Sequence, residues 1–302
     1  MEKMIGISIG QLQQKYGDAR ALEIAREIGA DAVDFGLDQP ANDYRREDSL
    51  YAKGDEAVTA YYRELGARAR ALGLIVSQTH GKLSGFKSVA EENDALVENS
   101  RLDILATAAL GAPVCVIHTA TTGGNGSDAT SAQMHRLNYE QFTRILPYAA
   151  EHGVKIATET FGDSPRHGCC DFFGNADEFI KGYQAVKASE WGQYFTTCID
   201  TGHSNKAMRF GNPTPADVIR RVGSDIAVLH LNDNDTLTDQ HKPPLSGTID
   251  WEDVLTALDE VGYGGVYNME LNLRCFGKEL MIDTAAFSVK VMRNLLRTHE
   301  RV

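Results

Sequence analysis

Seven times along this chain an Ala/Leu-rich helical stretch stops at a glycine, and a short β-rich run follows almost at once. The runs are Ala32–Phe35 after Gly29, Leu74–Thr79 after Gly73, Val114–His118 after Gly111 and Lys155–Thr158 after Gly153. Phe195–Ile199 after Gly192, Ile226–Leu231 after Gly223 and Gly265–Met269 after Gly262 complete the series. With the opening run Ile5–Ile9 the chain has eight candidate strands. A glycine just past a helix end takes up positive φ without a Cβ penalty, and a short loop then feeds the next strand. Strands that alternate with helices pair in parallel, and eight such units in 302 residues suit a closed barrel better than an open sheet. The expectation is an α/β fold, a single (β/α)8 barrel domain over residues 1–302.

The connections are unequal. The segments after the strands are long and polar: Ala120–Thr130, Thr160–Gly174, Thr201–Pro215 and Asn232–Gly247. In a barrel of this kind they lie at the C-terminal face, where sites are built. Ionisable residues recur at the same ends of the strands: Asp34, His80, His118, Glu159, Asp200, His230 and Glu270. Any one alone reads as a helix cap or a satisfied histidine. Seven converging on one mouth repel one another or forfeit hydration unless a cation or a substrate organises them, so a divalent metal is the economical reading. Mixed oxygen and nitrogen ligands suit Zn, Mn, Co or Mg, and spacing does not choose among them.

Local context adds members. Strand six runs into CIDTGHSNKA, with His203 three residues after Asp200, and strand seven, AVLHLNDND, leads into TLTDQHKPPLSGTIDW with Asp239 and His241. Strand eight ends YNMELN. In order and spacing, VKIATETFG, CIDTGH, HLNDND with DQHKPPLSGTIDW, and NMELN resemble the xylose-isomerase-like superfamily of TIM barrels, over nearly the whole chain. That superfamily includes sugar isomerases and epimerases and the related apurinic/apyrimidinic endonucleases. The resemblance implies that Glu159, Asp200, His230 and Glu270 bind one divalent ion, as in the ketose epimerases, with the two glutamates also handling protons. It implies equally that His80, His118, His203, Asp239 and His241 are substrate-binding residues or, as in the endonucleases, ligands of additional ions. All nine positions carry the metal-binding residue types. One departure touches substrate contacts: ketose epimerases often carry an arginine six residues after the strand-seven histidine, where this chain has Thr236. Arg166 and Arg274 are the nearest candidates for gripping a phosphate or carboxylate, with surface ion pairing as the alternative.

The expected function is a metal-dependent isomerase or epimerase of a small polyhydroxylated substrate, a sugar or sugar phosphate, acting through an enediolate. The alternatives are a dehydratase of an inositol-like or keto-acid substrate and a multi-zinc phosphodiesterase. Forty-two acidic residues against 30 basic ones, a net charge of −12 and no basic run weigh against nucleic acid. Five irregularly spaced cysteines, including adjacent Cys169 and Cys170, fit a reducing compartment, and the opening Met1-Glu2-Lys3-Met4-Ile5 passes directly into a strand. A cytoplasmic location, no membrane span and possible homo-oligomers are therefore expected. TTGGNG after strand four reads as a mobile loop, and Phe161 and Phe86 as candidate walls of a sugar site.

Overall fold

Each of the eight runs becomes a strand: β1 (Ile5–Ser8), β2 (Ala32–Gly36), β3 (Ile75–His80), β4 (Val114–Ile117), β5 (Lys155–Glu159), β6 (Phe195–Asp200), β7 (Ile226–His230) and β8 (Tyr267–Met269). In the computed structural model, which describes residues 3–39 and 42–300, they pair in parallel in the order β8-β1-β2-β3-β4-β5-β6-β7. A parallel bridge between Leu231 and Met269 joins β7 to β8. The Leu231 amide donates to the Asn268 carbonyl (2.8 Å) and the Glu270 amide to the Leu231 carbonyl (3.2 Å), so the sheet closes on itself. The helices Asp18–Glu27, Asp55–Ala71, Ala90–Leu110, Ser131–His152, Ala176–Lys187, Pro215–Val222, Trp251–Glu260 and Met281–His299 follow the strands in turn. The fold is the (β/α)8 barrel.

Six of the seven helix-ending glycines have positive φ, from 65° at Gly153 to 86° at Gly29. Gly192 differs. It opens a 3₁₀ turn, and a Cβ there would meet the Lys187 carbonyl oxygen at 1.9 Å, so close approach and not handedness demands the glycine.

The wall-to-helix interface carries two large apolar clusters, while Val114, Val116, Ala157, Cys198 and Val228 form a small separate one. These five come from β4 to β7 and share one side of their strands, the barrel interior. Two residues further along the same side stand His118, Glu159, Asp200 and His230. Strand periodicity alone therefore lifts the polar groups onto an apolar plug, at the C-terminal mouth.

The connections at that mouth are more ordered than their composition suggests. The segment read as a loop from Thr201 to Pro215 is largely the helix Thr201–Ala207 and the turn Met208–Phe210. TTGGNG contains the one-turn helix Thr122–Asn125, capped by Thr121 and held by the Thr122 amide donating to Asp171 (2.8 Å). Residues Asp163–Ser164 and Cys169–Cys170 make a small antiparallel hairpin. Among the described residues no helix is long and apolar enough to cross a membrane.

Candidate metal centre

Closure of the barrel gathers the expected residues into compact groups. Glu159, Asp200, His230 and Glu270 each put one ligand atom within 4.8 Å of the others. His80, His118 and Glu159 form a second such group, and Asp200, His203 and His241 a third. Glu159 is thus common to the first two and Asp200 to the first and last. Asp239 stands against the third, its Oδ2 3.6 Å from His203 Nε2 and 3.4 Å from His241 Nε2.

The histidines are oriented from outside. His80 Nδ1 faces the Gly81 carbonyl (3.1 Å), His118 Nδ1 that of Leu83 (3.0 Å), His203 Nδ1 that of Thr160 (3.0 Å) and His241 Nδ1 that of Glu270 (3.1 Å). A carbonyl only accepts, so each of these nitrogens carries the hydrogen. His230 is reversed, with Nε2 on Asp34 Oδ2 at 3.1 Å. The inner nitrogen of each neutral ring then presents a lone pair to carboxylate oxygens. His80 Nε2, His118 Nε2 and His230 Nδ1 lie 3.4, 3.2 and 3.2 Å from the same oxygen, Glu159 Oε2. Both Glu159 oxygens and His230 Nδ1 are buried with no hydrogen-bond partner. Acceptors facing acceptors in a buried site are reconciled by a cation between them or by extra protons on the rings, and outer N–H groups tied to carbonyls or a carboxylate are the usual support of metal-binding imidazoles. The residues present fit a divalent ion.

The ionisation equilibria express the same demand. Burial works against the charged form of Glu159, but the imidazoles of His230 and His118 outweigh it and hold the carboxylate well below its usual range. Burial also works against a charged His80, yet Glu159 and Glu270 raise it to about 9; Asp239 and Glu270 do the same for His241, also to about 9. Asp200 is raised, burial being the main cause.

The cluster opens into a cavity of about 250 Å³ lined by Ser8, Asp34, His80 and Glu270 among others. Glu270 is a quarter exposed there, whereas Glu159 is fully buried. Phe161 stands at the rim, edge-on to His118 (4.9 Å) and stacked on His203 (5.8 Å). Phe86 does not wall the site, since it is fully buried in the outer core. Arg166 is exposed in the turn of the hairpin, and Arg274 is exposed and donates to Gln14 (3.3 Å); among the described residues neither has an ion pair or hydrogen bond within the cluster. Cys198 lies against Glu159 and His230, but burial pushes its thiol up to about 12 and keeps it neutral.

A family model described as the xylose isomerase-like TIM barrel matches residues 22–293. The chain belongs to this family. Among solved structures of the xylose isomerase-like fold, a D-tagatose 3-epimerase-like protein is 20% identical with a TM-score of 0.73, covering 99% of this chain and 98% of that one. The IOLI protein, solved with a zinc atom, is 17% identical with a TM-score of 0.69, covering 98% and 97%. At such identities the likeness is one of fold. The chain spans about half the length of the curated relatives it matches; one, an uncharacterised protein of Sinorhizobium fredii, is 26% identical over 177 residues, 57% of this chain and 50% of that one.

In this xylose isomerase-like barrel the supporting contacts are what sequence reasoning missed. Asp34 was legible only as one more mouth carboxylate; its contact with His230, and that of Ser8, which donates to Asp34 (2.7 Å), needed the barrel to close. Asn232 donates to Asp200 Oδ2 (2.8 Å), and Gln78 sets its amide against His230 Nε2 (3.1 Å). Period-2 placement of Gln78, two residues before His80, was the available signal.

Proposed function

We propose that the protein is a divalent-metal-dependent sugar isomerase or epimerase whose ion is held by Glu159, Asp200, His230 and Glu270. The observation that carries this reading is the four-ligand group at the barrel mouth with one member, Glu270, reaching the substrate-sized cavity. A divalent ion bound there supplies Lewis-acid stabilisation of charge developing on substrate oxygens. The protein's own part is positioning and proton transfer. A proton alpha to a carbonyl is weakly acidic, and a carboxylate held at the carbon is the natural base. Glu270, partly exposed to the cavity, takes that proton, while fully buried Glu159, hemmed in by four histidines, serves first as a ligand and is the second proton-handling residue. His203, in contact with Phe161 at the rim, binds a substrate oxygen. The acidic balance of the chain supports a small polyhydroxylated substrate over nucleic acid.

Deuterium exchange tests the reading. Keto and aldo sugars incubated with the metal-loaded protein in deuterated water should gain deuterium alpha to the carbonyl. Metal-loaded Glu270→Gln should lose that exchange, and Glu159→Gln should lose turnover. Full turnover in both metal-loaded variants would end the two-glutamate mechanism.

A second reading, a multinuclear phosphodiesterase, is favoured by one observation: His80 and His118 share Glu159, and His203 and His241 share Asp200, in further compact groups. Metal analysis of protein purified without chelator separates the two. About one ion per chain supports the isomerase, and about three zinc ions support the hydrolase.

A further inference from the structure

We propose that Lys206 is a positioning residue that weakens cation binding at the outer group, His203, Asp239 and His241, relative to the central four-ligand group. The inference rests on the reading that the barrel mouth holds divalent metal.

Lys206 follows His203 by three residues on the helix Thr201–Ala207, yet its side chain is only 3% exposed. Its ammonium lies 2.6 Å from Asp163 Oδ1, on a carboxylate that is itself 1% exposed. Asp163 is also paired with Arg209. Two cations therefore meet one buried anion, and the surplus positive charge falls towards Asp239, whose Oδ1 is 3.5 Å from the ammonium. The other oxygen of the same carboxylate, Oδ2, is the one that faces His203 and His241.

Asp239 is thus divided between an ammonium on one oxygen and two imidazoles on the other. An ion held through Oδ2 shares that carboxylate with Lys206 and feels a fixed charge at close range, from an ammonium that is itself only 3% exposed. The central group carries no such burden: among the described residues the ion pairs of Glu159, Asp200 and Glu270 are all with histidines. Asp239 is also the more exposed donor, 43% exposed and on an irregular loop in which Thr236, His241 and Leu245 have positive φ. Neutralising Asp239 from within the chain leaves the inner nitrogens of His203 and His241 available to substrate oxygens.

Zinc titration of the chelator-stripped full chain, followed by competition with a chromophoric chelator and by metal analysis, reads both affinities. Wild type should bind a central ion tightly and an outer ion at least about tenfold more weakly, or not at all. Lys206→Met should tighten the outer ion by about tenfold or more with the central affinity unchanged. Lys206→Arg should behave as wild type, and adding His241→Ala to Lys206→Met should abolish the gain. Lys206→Gln gives the same reading if the methionine variant fails to fold. An outer affinity that is unchanged or weaker when the charge is removed overturns the role of Lys206 while leaving the central site intact. Loss of the tight central ion from wild type itself overturns the metal-centre reading as well, a result visible before any variant is made.

Discussion

Asp34 decides how His230 is used. Its carboxylate fixes Nε2 of a fully buried ring and turns Nδ1 towards Glu159 and Glu270 at 3.2 and 3.5 Å. Burial opposes the charge on Asp34, but His230 and His80 outweigh it and hold the group below its usual range, so it stays an anion. Asp34→Asn keeps the shape and loses the anion. It should weaken metal binding by about 10- to 100-fold, as removal of such an outer partner generally does, and lower the melting temperature of the chelated protein, since buried His230 loses its anion. His230→Ala removes a proposed ligand outright and should abolish most bound ion while leaving the barrel folded. Metal titration beside thermal melts checks both, and full occupancy in His230→Ala would remove His230 from the ligand set.

The helix Thr201–Ala207 begins on Asp200, one of the four proposed ligands. The Asp200 side chain caps it, accepting from the His203 amide at 2.6 Å, so the bland reading of a strand-end carboxylate as a cap is correct here without displacing the other reading. The helix can start this close to β7 only because residue 202 is glycine: a Cβ would stand 1.9 Å from Asn232 Oδ1 and 2.9 Å from Asn234 Nδ2. Asn232 is the residue that holds Asp200 Oδ2. Gly202→Ala should therefore cost roughly 1–3 kcal/mol by overpacking and weaken the metal site in the same variant. A comparable loss of affinity in Asn232→Ser, which removes the donor outright, would confirm the route; normal metal affinity in Gly202→Ala would show that Asn232 is dispensable. Thr201–Pro215 escaped prediction as a helix because Gly202, Ser204 and Asn205 are poor helix formers. The cap and the packing against the hairpin override that propensity.

The closed barrel holds histidine charge that a bound cation or rising pH relieves. His80 and His241 are raised from 6.5 to about 9, so the folded chelated protein holds protons that the unfolded chain has lost. Their contribution to stability is complete below about pH 6.5 and is lost as pH rises through about 9. Melting temperature of the chelated protein should fall across that window, while metal-loaded protein should hold or gain, since ions replace protons that are easier to remove at high pH. Calorimetric titration of the ion at pH 7 in buffers of different ionisation enthalpy should register proton release. A chelated protein whose stability rises between pH 6.5 and 9 would show that these rings are neutral when folded.

Much of this was local and therefore legible. Helix-ending glycines, β-rich runs and the two-residue step from Ala157 to Glu159 or from Val228 to His230 are properties of short stretches, and they set the barrel, the strand limits within a residue or two and the ring of polar groups above an apolar plug. Which nitrogen of each histidine faces inward was not legible, because the outer partner comes from another loop or from a strand far away in sequence, as with Asp34 and His230. Nor could composition show that Phe86 belongs to the outer core, that Gly192 serves a close contact, or that Lys206 would bury its charge between Asp163 and Asp239. Chain-local periodicity places a residue on a face and at a height. Closure of the sheet alone determines which groups meet there, and hence which charges are shared, opposed or left for a ligand to balance.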